Sequence, residues 1–173
     1  MSQLSSLSFT SSIDSSLLVR DVAGSYRPAE PAEVLQAALR VLAGQLRGTE
    51  MLSSPQAVRD FLRIKLGTLE HEVFAVIHLD AQHRVIEYVE MFRGTVTQTS
   101  VYPREVVKEA MAHNTAAIVL VHSHPSGVAE PSRADEHLTQ TLKSALSLVD
   151  VRVIDHLIVA GPTILSFAER GLI

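Results

Sequence analysis

The feature that most constrains this chain is a strand-length apolar run that ends directly in two histidines. Ala116-Ala-Ile-Val-Leu-Val121 is short, β-branched and bounded by polar residues, so it predicts a fully buried strand. Residues i and i+2 share a face of a strand, which sets His122 and His124 side by side with Ser123 turned away. Pro125-Ser-Gly127 then redirects the chain. Ser132, after Pro131, stands where a helix N-cap belongs, and Asp135 falls in that helix's first turn. A strand, a loop and a helix thus bring two imidazoles and one carboxylate to one point.

That donor set suits a hydrolytic zinc ion, which takes imidazole nitrogen and carboxylate oxygen and in catalytic sites keeps one position for water. Bound water is acidified towards neutral pH, which makes a nucleophile available. Each part also has a plain structural reading. Ser132-Arg-Ala-Asp135 matches a capping box, and a lone His-x-His pair is commonly incidental. The combination, in this order on one frame, is what points to metal.

The same residues carry a family resemblance. His-x-His, seven residues beginning with Pro125, then Ser-x-x-Asp resembles the signature of the JAMM (MPN+) metalloproteases. His124-Pro-Ser-Gly127, Glu130-Pro-Ser-Arg133, Pro103-Arg-Glu105 and Asp155-His-Leu-Ile158 are similar to the RadC family of bacterial proteins, over roughly residues 51 to 173. The resemblance implies an α/β fold of the JAMM/MPN-like (cytidine-deaminase-like) kind, a mixed β-sheet flanked by helices. It also implies His122, His124 and Asp135 as ligands of Zn2+.

In JAMM proteins a Glu just before a strand binds the water at the metal and shuttles its proton. Glu72, ahead of Val73-Phe-Ala-Val-Ile-His-Leu79, matches that position best, with Glu105 second and Glu70 third. The matching family Ser gives Ser132 an oxyanion-stabilising role beside its capping one. His-Ser-His, where most RadC-like sequences have Asn between the histidines, resembles the peptidase branch. Longer RadC proteins carry a helix-hairpin-helix DNA-binding region. No Gly-containing hairpin between short helices occurs in the first fifty residues, so the chain reads as a short, single-domain member.

Composition sets the outer bounds. At 173 residues, 46% hydrophobic and 20% charged, the chain is of globular type with room for one domain and a small extension. Fifteen basic against nineteen acidic residues give a net charge of −4, so nothing global favours nucleic acid and only a local basic face is left for it. Cysteine is absent, which excludes disulfides, thiolate zinc sites and a cysteine nucleophile. No apolar run reaches membrane-span length, and the cytoplasm is the expected location.

In chain order, residues 1–30 read as a Ser-rich flexible tail and 31–50 as an amphipathic helix of Val34, Leu35, Ala38, Leu39, Leu42 and Leu46. Residues 51–173 read as the metal domain. Within it a helix runs from Pro55 to a stop at Gly67, and an antiparallel strand pair follows to Arg93. A helix begins at Pro103 with Val106, Val107, Ala110 and Met111 inward. The helix bearing Asp135 extends to Leu148, and further strands lie at 151–160 and 163–167. Asp155 and His156 read as structural, or as orienting a ligand from behind. His71, His78, His83 and His113 read as surface or packing residues.

Three functions compete: a zinc peptidase or isopeptidase acting on a peptide or protein substrate, a DNA-repair or mobile-element-associated factor, and a non-catalytic protein-binding MPN module. The intact ligand set favours the first. A homodimer is compatible with the amphipathic first helix.

Overall fold

The computed structural model describes residues 17–48, 55–95 and 100–173. The chain falls into two compact units, Met1–Ala38 and Leu39–Ile173. In the first unit β1 (Leu18–Arg20) pairs antiparallel with β2 (Tyr26–Pro28). Asp21 Oδ1 accepts from the Ser25 N–H at 2.9 Å across the turn, and Gly24 adopts φ 87°. A hairpin therefore stands where the sequence suggested a tail, over the part of residues 1–30 that is described; residues 1–16 lie outside it. The strands have only three residues each and little burial, so they left no alternating signal to read.

α1 (Pro31–Leu46) starts on a proline, whose missing N–H costs nothing in a helix's first turn. Its later residues Leu39, Leu42 and Leu46 pack on the core of the second unit, whereas Leu35 stays exposed. α2 (Pro55–Leu66) buries Val58, Phe61, Leu62 and Leu66, one face at helical spacing. It ends at Gly67, where a Cβ would lie 2.4 Å from the Arg63 carbonyl oxygen and 2.8 Å from that of Gly161. Only glycine fits that approach.

The second unit is built on a five-stranded sheet. β3 (Val73–Leu79), β4 (Val85–Arg93), β5 (Ala117–Ser123), β6 (Arg152–Ala160) and β7 (Thr163–Ser166) lie in the order β4-β3-β5-β6-β7. All neighbours are antiparallel except β5 and β6, whose parallel pairing needs a crossover. α4 (Arg133–Ser147) supplies it. β6 is one continuous strand over Arg152–Ala160, with a register shift at Ile154 between the pairs Ile118–Val153 and Val119–Asp155.

β3 and β5 are buried at every position because helices cover both sheet faces. Alternation divides their residues. Ala75, Ile77, Val119 and Val121 meet α1 and α2, while Phe74, Val76, Ile118 and Leu120 meet α3 (Pro103–Ala112) and α4. Leu142 and Leu146 of α4 have no exposed surface, and each contributes roughly 2 kcal/mol of burial. In α3, Val106 and Ala110 point inward, but Met111 is exposed, one position too far around the helix. The expected architecture, a mixed sheet flanked by helices, is the one found. No described helix is long and apolar enough to cross a membrane.

Candidate metal centre

β5 carries His122 inside the strand, one residue before its end, on the face that α3 and α4 cover. The His124 backbone N–H donates to the Val159 carbonyl at 2.7 Å, so sheet pairing also fixes the second histidine. The chain then turns at Gly127, φ 76°, whose N–H donates to the His124 carbonyl at 3.1 Å. α4 opens on the expected capping box. The Ser132 hydroxyl accepts from the Asp135 N–H at 3.2 Å, and Asp135 Oδ2 accepts from the Ser132 N–H at 2.7 Å. The cap and the metal-ligand geometry share one carboxylate.

The structure brings His122, His124 and Asp135 together: one ligand atom from each lies within 4.8 Å of the other two. His122 Nδ1 is 2.9 Å from Asp135 Oδ1, and His124 Nδ1 is 3.0 Å from the Val128 carbonyl. Both oxygens are acceptors, so each ring donates through Nδ1, which leaves Nε2 as the nitrogen able to ligate. His122 Nε2 is buried without a hydrogen-bond partner, 3.5 Å from Glu72 Oε2. His124 Nε2 is 3.6 Å from Asp135 Oδ2. Imidazole nitrogens and carboxylate oxygens thus converge at one place, a donor set that suits a cation. The residues fit a metal ion.

Electrostatics agree. Burial alone would raise the Asp135 carboxyl. The hydrogen bonds from His122 and from the Ser132 side chain and backbone outweigh it and hold the group well below the usual carboxylate range. Asp135 is therefore an anion, as a ligand must be.

Glu72 is held at the mouth of β3. Its N–H donates to the Thr95 carbonyl at 2.9 Å, and its carbonyl accepts from the Gly94 N–H at 2.8 Å. Its side chain is 13% exposed, beside His122. Glu105 is paired with Lys108 at 2.7 Å in the first turn of α3, and Glu70 is exposed. Ser132 stands at the rim, its hydroxyl donating to Asp135 Oδ2 at 2.6 Å.

Two supports were not legible beforehand. Ser123, turned away from the metal side, accepts the Val73 N–H on its hydroxyl at 2.8 Å and so ties β5 to the residue after Glu72. Behind Asp135, the Thr139 hydroxyl donates to the Asp135 carbonyl at 2.6 Å and lies 2.7 Å from His156 Nδ1. Since that hydroxyl proton is used, His156 donates through Nδ1, and its ring stacks near-parallel to His122 at 6.4 Å. Burial, then the neighbouring His122, pushes the His156 imidazole down to about 3. Asp155 is structural: it accepts from Ser166 Oγ and from the N–H groups of His156 and Ala168.

Comparison with known proteins agrees with this geometry. The chain belongs to the RadC-like JAB domain family, whose model matches residues 52–172. The RadC-like JAB domain is a JAMM-type metal-dependent hydrolase fold, and His122, His124 and Asp135 form a candidate metal site on it. Among curated relatives, a UPF0758 protein of Leptothrix cholodnii is 61% identical over 150 residues, covering 87% of this chain and 68% of its own length. UPF0758 proteins of Methylibium petroleiphilum and a Polaromonas species are 60% and 59% identical over the same span of 150 residues, covering 68% and 67% of their lengths.

Proposed function

We propose that the protein is a zinc-dependent hydrolase that cleaves an amide bond, peptide or isopeptide, in a peptide or protein substrate. The observation that carries this reading is the convergence of His122, His124 and Asp135, one ligand atom from each within 4.8 Å of the others, with His122 Nε2 buried and unpartnered beside Glu72. Two imidazoles and a carboxylate match zinc, and a three-ligand set is that of a catalytic site. When bound, the ion supplies Lewis acidity and lowers the pKa of water at the site.

The chain's own residues do the rest. His122, His124 and Asp135 hold the ion, and Thr139 and the α4 cap keep Asp135 in place. Glu72, partly shielded beside His122, takes the proton of the attacking water on its carboxylate and returns it to the departing nitrogen. The Ser132 hydroxyl at the rim turns from Asp135 to the developing oxyanion. The net charge of −4 argues against a nucleic-acid substrate.

The test is turnover of a panel of peptides and isopeptide-linked conjugates by zinc-loaded protein, beside Glu72→Gln and His122→Ala. Cleavage should fall by about 10²–10⁴-fold in Glu72→Gln, with the metal still bound. Undiminished cleavage by Glu72→Gln would remove Glu72 from the chemistry. Salt-dependent DNA binding without amide cleavage would move the reading to a DNA-associated role.

A further inference from the structure

The geometry points to a second metal site, built by His78, Glu109 and His113 and suited to a divalent transition-metal ion of the zinc class. One ring nitrogen of each histidine and one Glu109 oxygen lie within 4.8 Å of one another. His78 is on β3, on the face that α3 covers, and is fully buried. Glu109 and His113 stand four residues apart on and just after α3, hence on one side of the helix, with His113 Nε2 3.0 Å from Glu109 Oε1. A strand histidine and an i, i+4 helical pair thus converge from two elements.

The second observation is the state of His78. Its Nδ1 is hydrogen-bonded to Thr115 Oγ1 at 2.8 Å, while its Nε2 is buried with no partner. A buried polar atom of this kind calls for an explanation, and a bound metal ion is one. Thr115 fixes the ring from behind, as hydrogen bonds to the far nitrogen commonly do for ligating histidines. The His113 ring lies 4.6 Å from that of His78.

This site is separate from the first. Phe74 pairs with His122, whereas His78 lies four residues further along β3, roughly 13 Å away at strand rise. An ion there would clamp the end of α3 to the centre of the sheet.

The experiment is Zn2+ titration of untagged, chelator-stripped protein by calorimetry and native mass spectrometry. Wild type is compared with His122→Ala, His113→Ala, Glu109→Gln and the His122→Ala/His113→Ala double variant. Two ions per chain are expected in wild type, one in each single alanine variant and none in the double variant. Glu109→Gln should bind the second ion at least tenfold more weakly. His113 and Glu109 are partly exposed, so neither change threatens the core. Zinc should raise the melting temperature of His122→Ala but not of the double variant. Stoichiometry unchanged by His113→Ala, or ions persisting in the double variant, would overturn the second site. One ion lost with His122→Ala alone would overturn it and leave the first site standing. One ion lost with His113→Ala alone would do the reverse.

Discussion

At Thr139 one hydroxyl serves two residues, donating to the Asp135 carbonyl and accepting from His156. Thr139→Val keeps the shape, removes both bonds and leaves the His156 Nδ1–H buried without an acceptor. Metal affinity at the first site should fall about 10–100-fold, the usual effect of losing a group that orients a ligand. Competition against a chromophoric chelator measures it, and unchanged affinity would show that Asp135 needs no support from behind. Ser123 makes the same point on the opposite sheet face. Ser123→Ala strands the buried Val73 N–H and should cost about 1–3 kcal/mol in urea unfolding. A stability equal to wild type would mean that β3 is anchored without it.

The element that matters most is α4, because its N-terminal capping box contains the proposed metal ligand. Ser132→Ala should cost about 1 kcal/mol of stability through the lost cap and also weaken metal binding, since Asp135 loses a hydrogen bond that keeps it charged. A melting-temperature drop with undisturbed metal binding would separate the two roles. The elements differ in how much the sequence revealed. His122, His124 and Asp135 could be read together because strand alternation and cap spacing are local rules covering fourteen residues. Gly67 marked the end of α2 for the same reason, although the carbonyl of Gly161 that forbids a side chain there belongs to a distant turn. The hairpin at residues 18–28 was illegible because three-residue strands without a buried face carry no period. His78 read as a packing residue because its partners lie on a helix some thirty positions later. Glu72 was separated from Glu105 only by resemblance. In the fold Glu72 lies 3.5 Å from His122 Nε2, whereas Glu105 is paired with Lys108.

In the second unit, helices on both faces of the sheet bury its middle and force polar groups there to be neutral or paired. His78 and His156 are neutral there, lowered from 6.5 to about 4 and about 3 by burial first. Both folded values lie below the unfolded one. The unfolded chain therefore takes up protons that the folded chain refuses, and stability rises with pH between about 4 and 6.5. In metal-free protein the urea midpoint should be flat above about pH 7 and fall steadily on acidification through that window, with His78 contributing on the order of 3 kcal/mol. A flat midpoint down to pH 4.5 or so would mean that these histidines are not buried neutral. The central claim is more direct: β5 and α4 together make a metal centre beside Glu72. Zinc content of untagged protein measures it best, taken in a His113→Ala background that silences the second cluster, with and without His122→Ala or Glu72→Gln. One tightly held zinc per chain is expected, abolished by His122→Ala and kept by Glu72→Gln. Zinc that survives His122→Ala, or a folded protein that cannot be loaded at all, would contradict it.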